Sequence, residues 1–546
     1  MIRAVGAVVH HSLKRRAALG RGARKWKHTR TKEGTVMAQA SIGEGGTQGT
    51  AGVVSPGEPG DKLKTGVLRL PGVLMQSVTG IAPAIAGLFT VQFIVVNAGV
   101  TAPLAYFGAF VIALMLGYVL AQFTRHLSST GSYYTFVSRS LGGRAGFLVA
   151  WVYLLFYPVV GAQAGTFLGY NLQTILKAEY GWNVQWWWFM LFLVVLMAVT
   201  AWRGVELSVN LVIVLGIIEA TIVLILAVWG FASPGSGGVN LNWIVPSHAP
   251  NFHGLFLGVV FAIFAITGWD AAAPLAEESR EPKKTIPRAV IGSILIMGLF
   301  LVVVSWGQIT GWGTNRMASF SGSAVLPAIV LGKHYWGGGW WLLILFATLN
   351  SVIAVSIACT NAAVRFLYGM SRGGALPVSL QKIHPKFKTP TTAIMVQTGI
   401  NVALGLILPL LIGVANVYNV TGTWFTFALA FVYVVANIGL CVFYRTKHRD
   451  EFSWFKHLII PGIGSVALIV VCYYSVVPLP PWPVSLAPFI VLGWLAVGAV
   501  VMALVYRGSR SRNLAMAGIA MGEASEQAIE ERYLAHDQLP PPDAER

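Results

Sequence analysis

Three long stretches of the chain, residues 70–124, 389–444 and 457–506, contain no Asp, Glu, Lys or Arg. A helix needs about 20 apolar residues to cross a bilayer core, so each stretch holds two crossings joined by a short turn. A water-soluble fold could not hide that much apolar surface. Of the 546 residues, 55% are hydrophobic and 11% charged, against about 25% charged in an average soluble domain. The apolar segments run over 67–96, 103–124, 145–176, 184–202, 207–229, 253–278, 287–310, 338–370, 392–412, 416–444, 457–477 and 484–507. There are twelve of them, which puts both termini on one side of an all-α integral membrane protein.

The remaining charge says which side. Loops 125–144, 203–206, 279–288, 371–391 and 445–456 hold sixteen Lys/Arg, and the opposite loops hold only Lys177, Arg316 and Lys333. The basic side of a membrane protein is cytoplasmic, so both termini are expected in the cytoplasm, with the plasma membrane as the location. The net charge of +18 thus fits loops facing anionic lipid and not nucleic acid. Trp186–Trp188 and Trp336, Trp340 and Trp341 cluster at segment ends, where aromatic belts mark the outer interface. The three cysteines lie inside apolar runs and read as small buried hydrophobes. Residues 1–65 read as a basic and then Gly/Ser-rich cytosolic tail without stable structure. Residues 66–507 read as the membrane domain and 508–546 as a second cytosolic tail. Met37 is a second possible start, following 36 residues that carry ten Lys/Arg and one acid.

Two segments cannot be continuous helices. The first contains Thr79-Gly80-Ile81-Ala82-Pro83. Gly weakens a helix, and Pro83 lacks the N–H a helix interior needs, so one half-helix ends near Thr79 and a second starts at Pro83. The sixth contains Ile266-Thr267-Gly268-Trp269-Asp270 followed by Pro274. Unpaired backbone at bilayer depth is tolerated only beside protein or a watery cavity. Breaks five segments apart are what two inverted five-helix repeats produce, and such pairs point to a transport site.

The residues after the second break resemble the amino acid–polyamine–organocation permease superfamily. They comprise Gly268-Trp269-Asp270, then Glu277-Glu278, then Pro282 and Pro287. Arg365-Phe366-Leu367-Tyr368-Gly369, Gly374-Ala375-Leu376-Pro377 and His384-Pro385 resemble its loop between helices eight and nine. The resemblance spans about 65–507. It implies a core of five plus five helices with helices 1 and 6 broken, two extra helices, and a permease that moves an amino acid, or an amine or polyamine, by alternating access. Two positions depart from the pattern. Gly373 stands where the family often has Asp, and the first break lacks the Gly-Ser-Gly-Ile-Phe type of signature.

The resemblance puts the substrate between the two breaks, where half-helix termini offer bare amides and carbonyls to a zwitterion. The candidate binding residues are Thr79, Gly80, Ile81 and Ala82, with Ile266, Thr267 and Gly268. Trp269 is a candidate gate, Asp270 a candidate partner for a cation or proton, and Tyr157 a reach into the cavity. Glu219 stands alone in the fifth segment, where an ionised carboxylate costs roughly 2.5–3.5 kcal/mol, so it is expected paired or protonated. It is the candidate for proton coupling, with a buried structural hydrogen bond as the alternative. Glu277, Glu278 and Arg280 lie at the cytoplasmic mouth as candidates for an inner-gate ion pair. Asn350 and Ser351 are expected to make interhelical hydrogen bonds, and Gly161, Gly165 and Gly169 to let helices approach.

The chain shows no metal-ligand or nucleophile–base set of an intramembrane enzyme, no repeated filter motif and no nucleotide-binding Gly-x-x-x-x-Gly-Lys-Ser/Thr. A resident metal or cofactor is not expected. The energy source is then a proton or sodium gradient, or exchange, and the partners are a small molecule and the lipid bilayer.

Overall fold

The computed structural model describes residues 66–505 apart from 324–325, 373–375 and 475. The expectations for 1–65 and 508–546, and the Gly373–Ala375 part of the second motif, fall outside the described residues. Those residues are helical, and their only β pairing is two isolated bridges.

Among the described residues, eleven apolar helical stretches are long enough to cross a membrane. The first, Leu70–His126, has 57 residues. As one straight helix it would measure roughly 85 Å at about 1.5 Å per residue, nearly three times a hydrocarbon core of about 30 Å. It breaks at Gly99, whose φ is +58°, so it supplies two crossings and the described residues hold twelve.

The first crossing consists of α1 (Leu70–Ile81), a π-turn (Ile85–Phe89) and α2 (Thr90–Ala98). The second is α3 (Ala102–His126). The basic loop after it is no loop throughout: α4 (Tyr133–Leu141) folds inward, with Tyr133 and Tyr134 fully buried. The third crossing, expected as one segment, is two helices, α5 (Gly143–Tyr153) and α6 (Tyr157–Tyr180). Pro158 at the start of α6 has no N–H to give the preceding turn, which forces the interruption.

The remaining crossings are α7 (Trp186–Arg203), α8 (Val205–Ala232) and α9 (Phe252–Ile266), the last continued by a 3-10 turn (Trp269–Leu275). They are followed by α10 (Pro282–Trp312). Two short helices, α11 (Met317–Ser321) and α12 (Pro327–Trp336), precede α13 (Leu342–Arg372). The chain ends with α14 (Thr391–Ile412), α15 (Val417–Lys447), α16 (Ile460–Tyr474) and α17 (Leu486–Val505). The last two crossings pack on α15.

Lipid tails give no hydrophobic drive between helices, so close contact depends on small residues. A β-carbon on Gly307 of α10 would stand 2.6 Å from the Ala227 backbone of α8. The α6 glycines do the same work, Gly161 against Asn401 of α14 and Gly165 against Met190 of α7.

Candidate functional site

Helix α1 runs two residues past the expected stop. It ends at Ile81, and Ala82 takes a left-handed conformation with φ +60°. The cause is Pro83, whose ring excludes the residue before it from the helical region. In the sixth crossing α9 ends at Ile266, Thr267 is extended, and Gly268 has φ +132°. The two breaks touch. A β-carbon on Gly80 would lie 2.7 Å from the Gly268 carbonyl oxygen, and one on Gly268 would fall on the Gly80 carbonyl. The Ser77 hydroxyl donates to the Trp269 carbonyl at 2.7 Å, stitching the two crossings just beyond.

Backbone loosened by the breaks is taken up by side chains from other helices, as a bilayer interior demands. Tyr106 of α3 donates to the Ala86 carbonyl, and Gln308 of α10 donates to the Gly87 carbonyl at 2.6 Å. The Ile85 N–H donates to the Ser351 hydroxyl at 3.3 Å. Glu219 is fully buried and accepts from Asn350 at 3.0 Å, from Ser351 at 3.2 Å and from the Ala84 backbone N–H. The expectation that Glu219 is paired therefore acquires a place: the N-terminal end of the second half of crossing one.

A cavity of about 90 Å³ opens beside the touching breaks. Gly80, Ile81, Ala82, Thr267, Gly268 and Asp270 line it, together with Tyr157. Asp270 is fully buried, and one carboxylate oxygen accepts from Tyr153 at 3.1 Å and Tyr157 at 3.0 Å. The other oxygen has no hydrogen-bond partner. Three expected residues lie elsewhere. Thr79 bonds the Met75 carbonyl at 2.7 Å and turns its methyl toward Gly216 of α8. Ile266 is buried in the helix core. Trp269 is not poised over the cavity: it is fully buried and stacks on Tyr433, ring centroids 5.6 Å apart. Helical spacing explains all three, since residues next to a lining position point to other faces.

The cavity is closed differently at its two ends. Thr90, Phe264, Tyr418 and Thr426 separate it from a vestibule of about 340 Å³. Tyr418 packs there against Phe89, Phe167 and Phe264, with centroids 5.3, 4.8 and 6.0 Å away. Toward the basic loops the seal is ionic. Glu278 takes both arms of buried Arg365, at 2.5 and 3.0 Å, and Glu277 pairs with Arg372 at 3.1 Å. Arg280 joins through its backbone. Leu68 donates to the Glu278 carbonyl and accepts from the Arg280 N–H, both at 2.9 Å. Glu281, exposed beside this seal, is held below the usual carboxylate range by Lys284 at 2.8 Å.

Sequence reading missed Tyr153, Arg365 as a gate partner, and Cys359, which also lines the cavity. Tyr153 lies four residues before Tyr157, a spacing that stacks the two rings 5.1 Å apart, and that was the available signal.

Two broken crossings that touch at their breaks, a polar-tipped cavity beside them and an unlike seal on each side define a multi-pass membrane transporter. The amino acid permease family model matches residues 72–506, and the chain belongs to that family. It is 28% identical over 467 residues to the branched-chain amino acid permease BcaP of Bacillus subtilis, covering 82% of this chain and 91% of that protein. It is 25% identical over 425 residues to the low-affinity putrescine importer PlaP of Escherichia coli, covering 75% and 87%. It is 26% identical over 461 residues to the methylthioribose transporter of Bacillus subtilis, covering 82% and 90%.

Proposed function

We propose that the chain is a proton-coupled secondary transporter of the plasma membrane that carries a small solute with an ammonium group, an amino acid or an amine, by alternating access. The observation that carries this is Asp270, a buried carboxylate facing the cavity with two tyrosines on one oxygen and none on the other. That oxygen is a place for an ammonium. In this reading the basic loops and both termini are cytoplasmic, and the vestibule opens outward. The conformation is then sealed inward by the Glu278–Arg365 and Glu277–Arg372 pairs and thinly outward by the aromatic cluster around Tyr418.

Glu219 is the proton carrier in this scheme. Ionised, it pins the second half of crossing one to α8 and α13 through Ala84, Asn350 and Ser351. Neutralised, it holds them less firmly, because hydrogen bonds to a charged group are roughly twice as strong. The test is uptake of labelled amino acids and amines into proteoliposomes under imposed proton or sodium gradients. A proton gradient is expected to drive accumulation in the native chain. In Glu219→Gln accumulation should vanish while counterflow exchange persists. Accumulation that survives the substitution removes Glu219 from the scheme.

A further inference from the structure

We infer that the site takes a short monoamine without a carboxylate group, an inference that rests on the transport reading above. The amides at the first break are the groups that would otherwise hold a carboxylate. Ile81 lies within α1, and the Ala82 N–H donates to the Thr79 carbonyl at 3.0 Å. Pro83 has no N–H. The Ala84 N–H donates to Glu219, the Ile85 N–H to Ser351 at 3.3 Å, and the Ala86 N–H to the Ala82 carbonyl at 2.8 Å. The positive end of this half-helix, a natural anion site, is therefore filled by the protein's own carboxylate.

No side chain among the described residues lining the cavity suits an anion. Among the described residues lining it there is no Lys, Arg or His. The one charged side chain is Asp270, and its unpartnered oxygen would repel a second carboxylate. The C-terminal end of α9, the negative end of its dipole, also reaches the cavity through Ala265 and Thr267. The Asp270 carboxylate and the C-terminal end of α9 thus both favour a cation.

Size and lining narrow the class. The cavity measures about 90 Å³, against about 150 Å³ for a cavity that holds benzene, which leaves room for about four or five non-hydrogen atoms. Phe156, Val160, Phe167, Phe264 and Leu429 give it apolar walls. Among the described residues lining it there is no second acid, so the far end of a diamine would have its charge desolvated without a partner.

Valine and isobutylamine share a carbon skeleton and differ by the carboxylate. In proteoliposomes of the chain carrying Cys441→Ser and Cys472→Ser, protection of cavity-lining Cys359 from methyl methanethiosulfonate, read by intact mass, reports occupancy. Isobutylamine is expected to protect at concentrations at least tenfold below valine and putrescine. Calorimetric titration of the detergent-solubilised chain should give the same ranking whatever the reach of the thiol reagent. Valine binding as tightly as isobutylamine overturns the exclusion of carboxylates and leaves the transport reading standing. Putrescine binding as tightly overturns the single charge. If no amine or amino acid binds or accumulates, both readings fall.

Discussion

Gly80 and Gly268, 188 positions apart in the chain, lie back to back, each occupying the space where the other's β-carbon would go. Only hydrogen can sit at this crossing of two interrupted helices. Gly268 carries a further demand, since its φ of +132° is one that side chains resist.

Gly268→Ala is therefore expected to be the harsher of the two alanine substitutions. Backbone strain of this kind is worth about 1–3 kcal/mol, and displacement of the Gly80 carbonyl adds to it. Uptake should drop below a tenth of the native rate, with a lower unfolding temperature in detergent. Gly80→Ala, free of the φ penalty, should lose less in both measurements. Native uptake by Gly268→Ala would show that the breaks need not touch.

Asp270→Asn should cost about a hundredfold in uptake rate at limiting substrate, because the one charged side chain among the described residues lining the cavity is removed. Tyr153→Phe or Tyr157→Phe each removes one hydrogen bond to a charged group, about 1.5–3 kcal/mol, and about tenfold or more in uptake is expected. If the asparagine variant transports at the native rate, the ammonium does not bind there.

The breaks were legible because their causes are local. Gly80, Pro83 and Gly268 act on the backbone of their immediate neighbours, and so does Pro158, whose effect on the third crossing was nonetheless overlooked. The ion pairs were only half legible. Glu277 and Glu278 pointed to ion pairing, but Arg365 stands 87 residues from its partner, and no periodicity connects them. The same holds for Glu219, 131 residues from Asn350. Trp269 misled because its position beside a break says nothing about which face of the turn it occupies.

Arg365→Ala should destabilise by about 3–5 kcal/mol, the cost of removing one member of a buried ion pair. Arg365→Met combined with Glu278→Leu should recover most of that loss in thermal unfolding. Lys333→Ala gives the contrast: its pair with Glu179 is partly exposed, and less than about 1 kcal/mol is expected. A double variant no more stable than Arg365→Ala would mean that the pair itself contributes net stability.

Tyr418→Ala thins the barrier between vestibule and cavity. A thiol reagent added from the vestibule side should modify Cys359 about tenfold faster than in the native chain, with Cys441 and Cys472 replaced by serine. An unchanged rate would place the outer barrier elsewhere.

Leu68, just ahead of the first crossing, is laced by two backbone hydrogen bonds to Glu278 and Arg280, just after the sixth. Ser77 adds a third tie deeper in the bundle. The halves of the two broken crossings on the side of the basic loops are thus tied to each other at three points. In the alternating-access scheme proposed above, these two halves tilt together, and the Glu278–Arg365 and Glu277–Arg372 pairs hold them until they do.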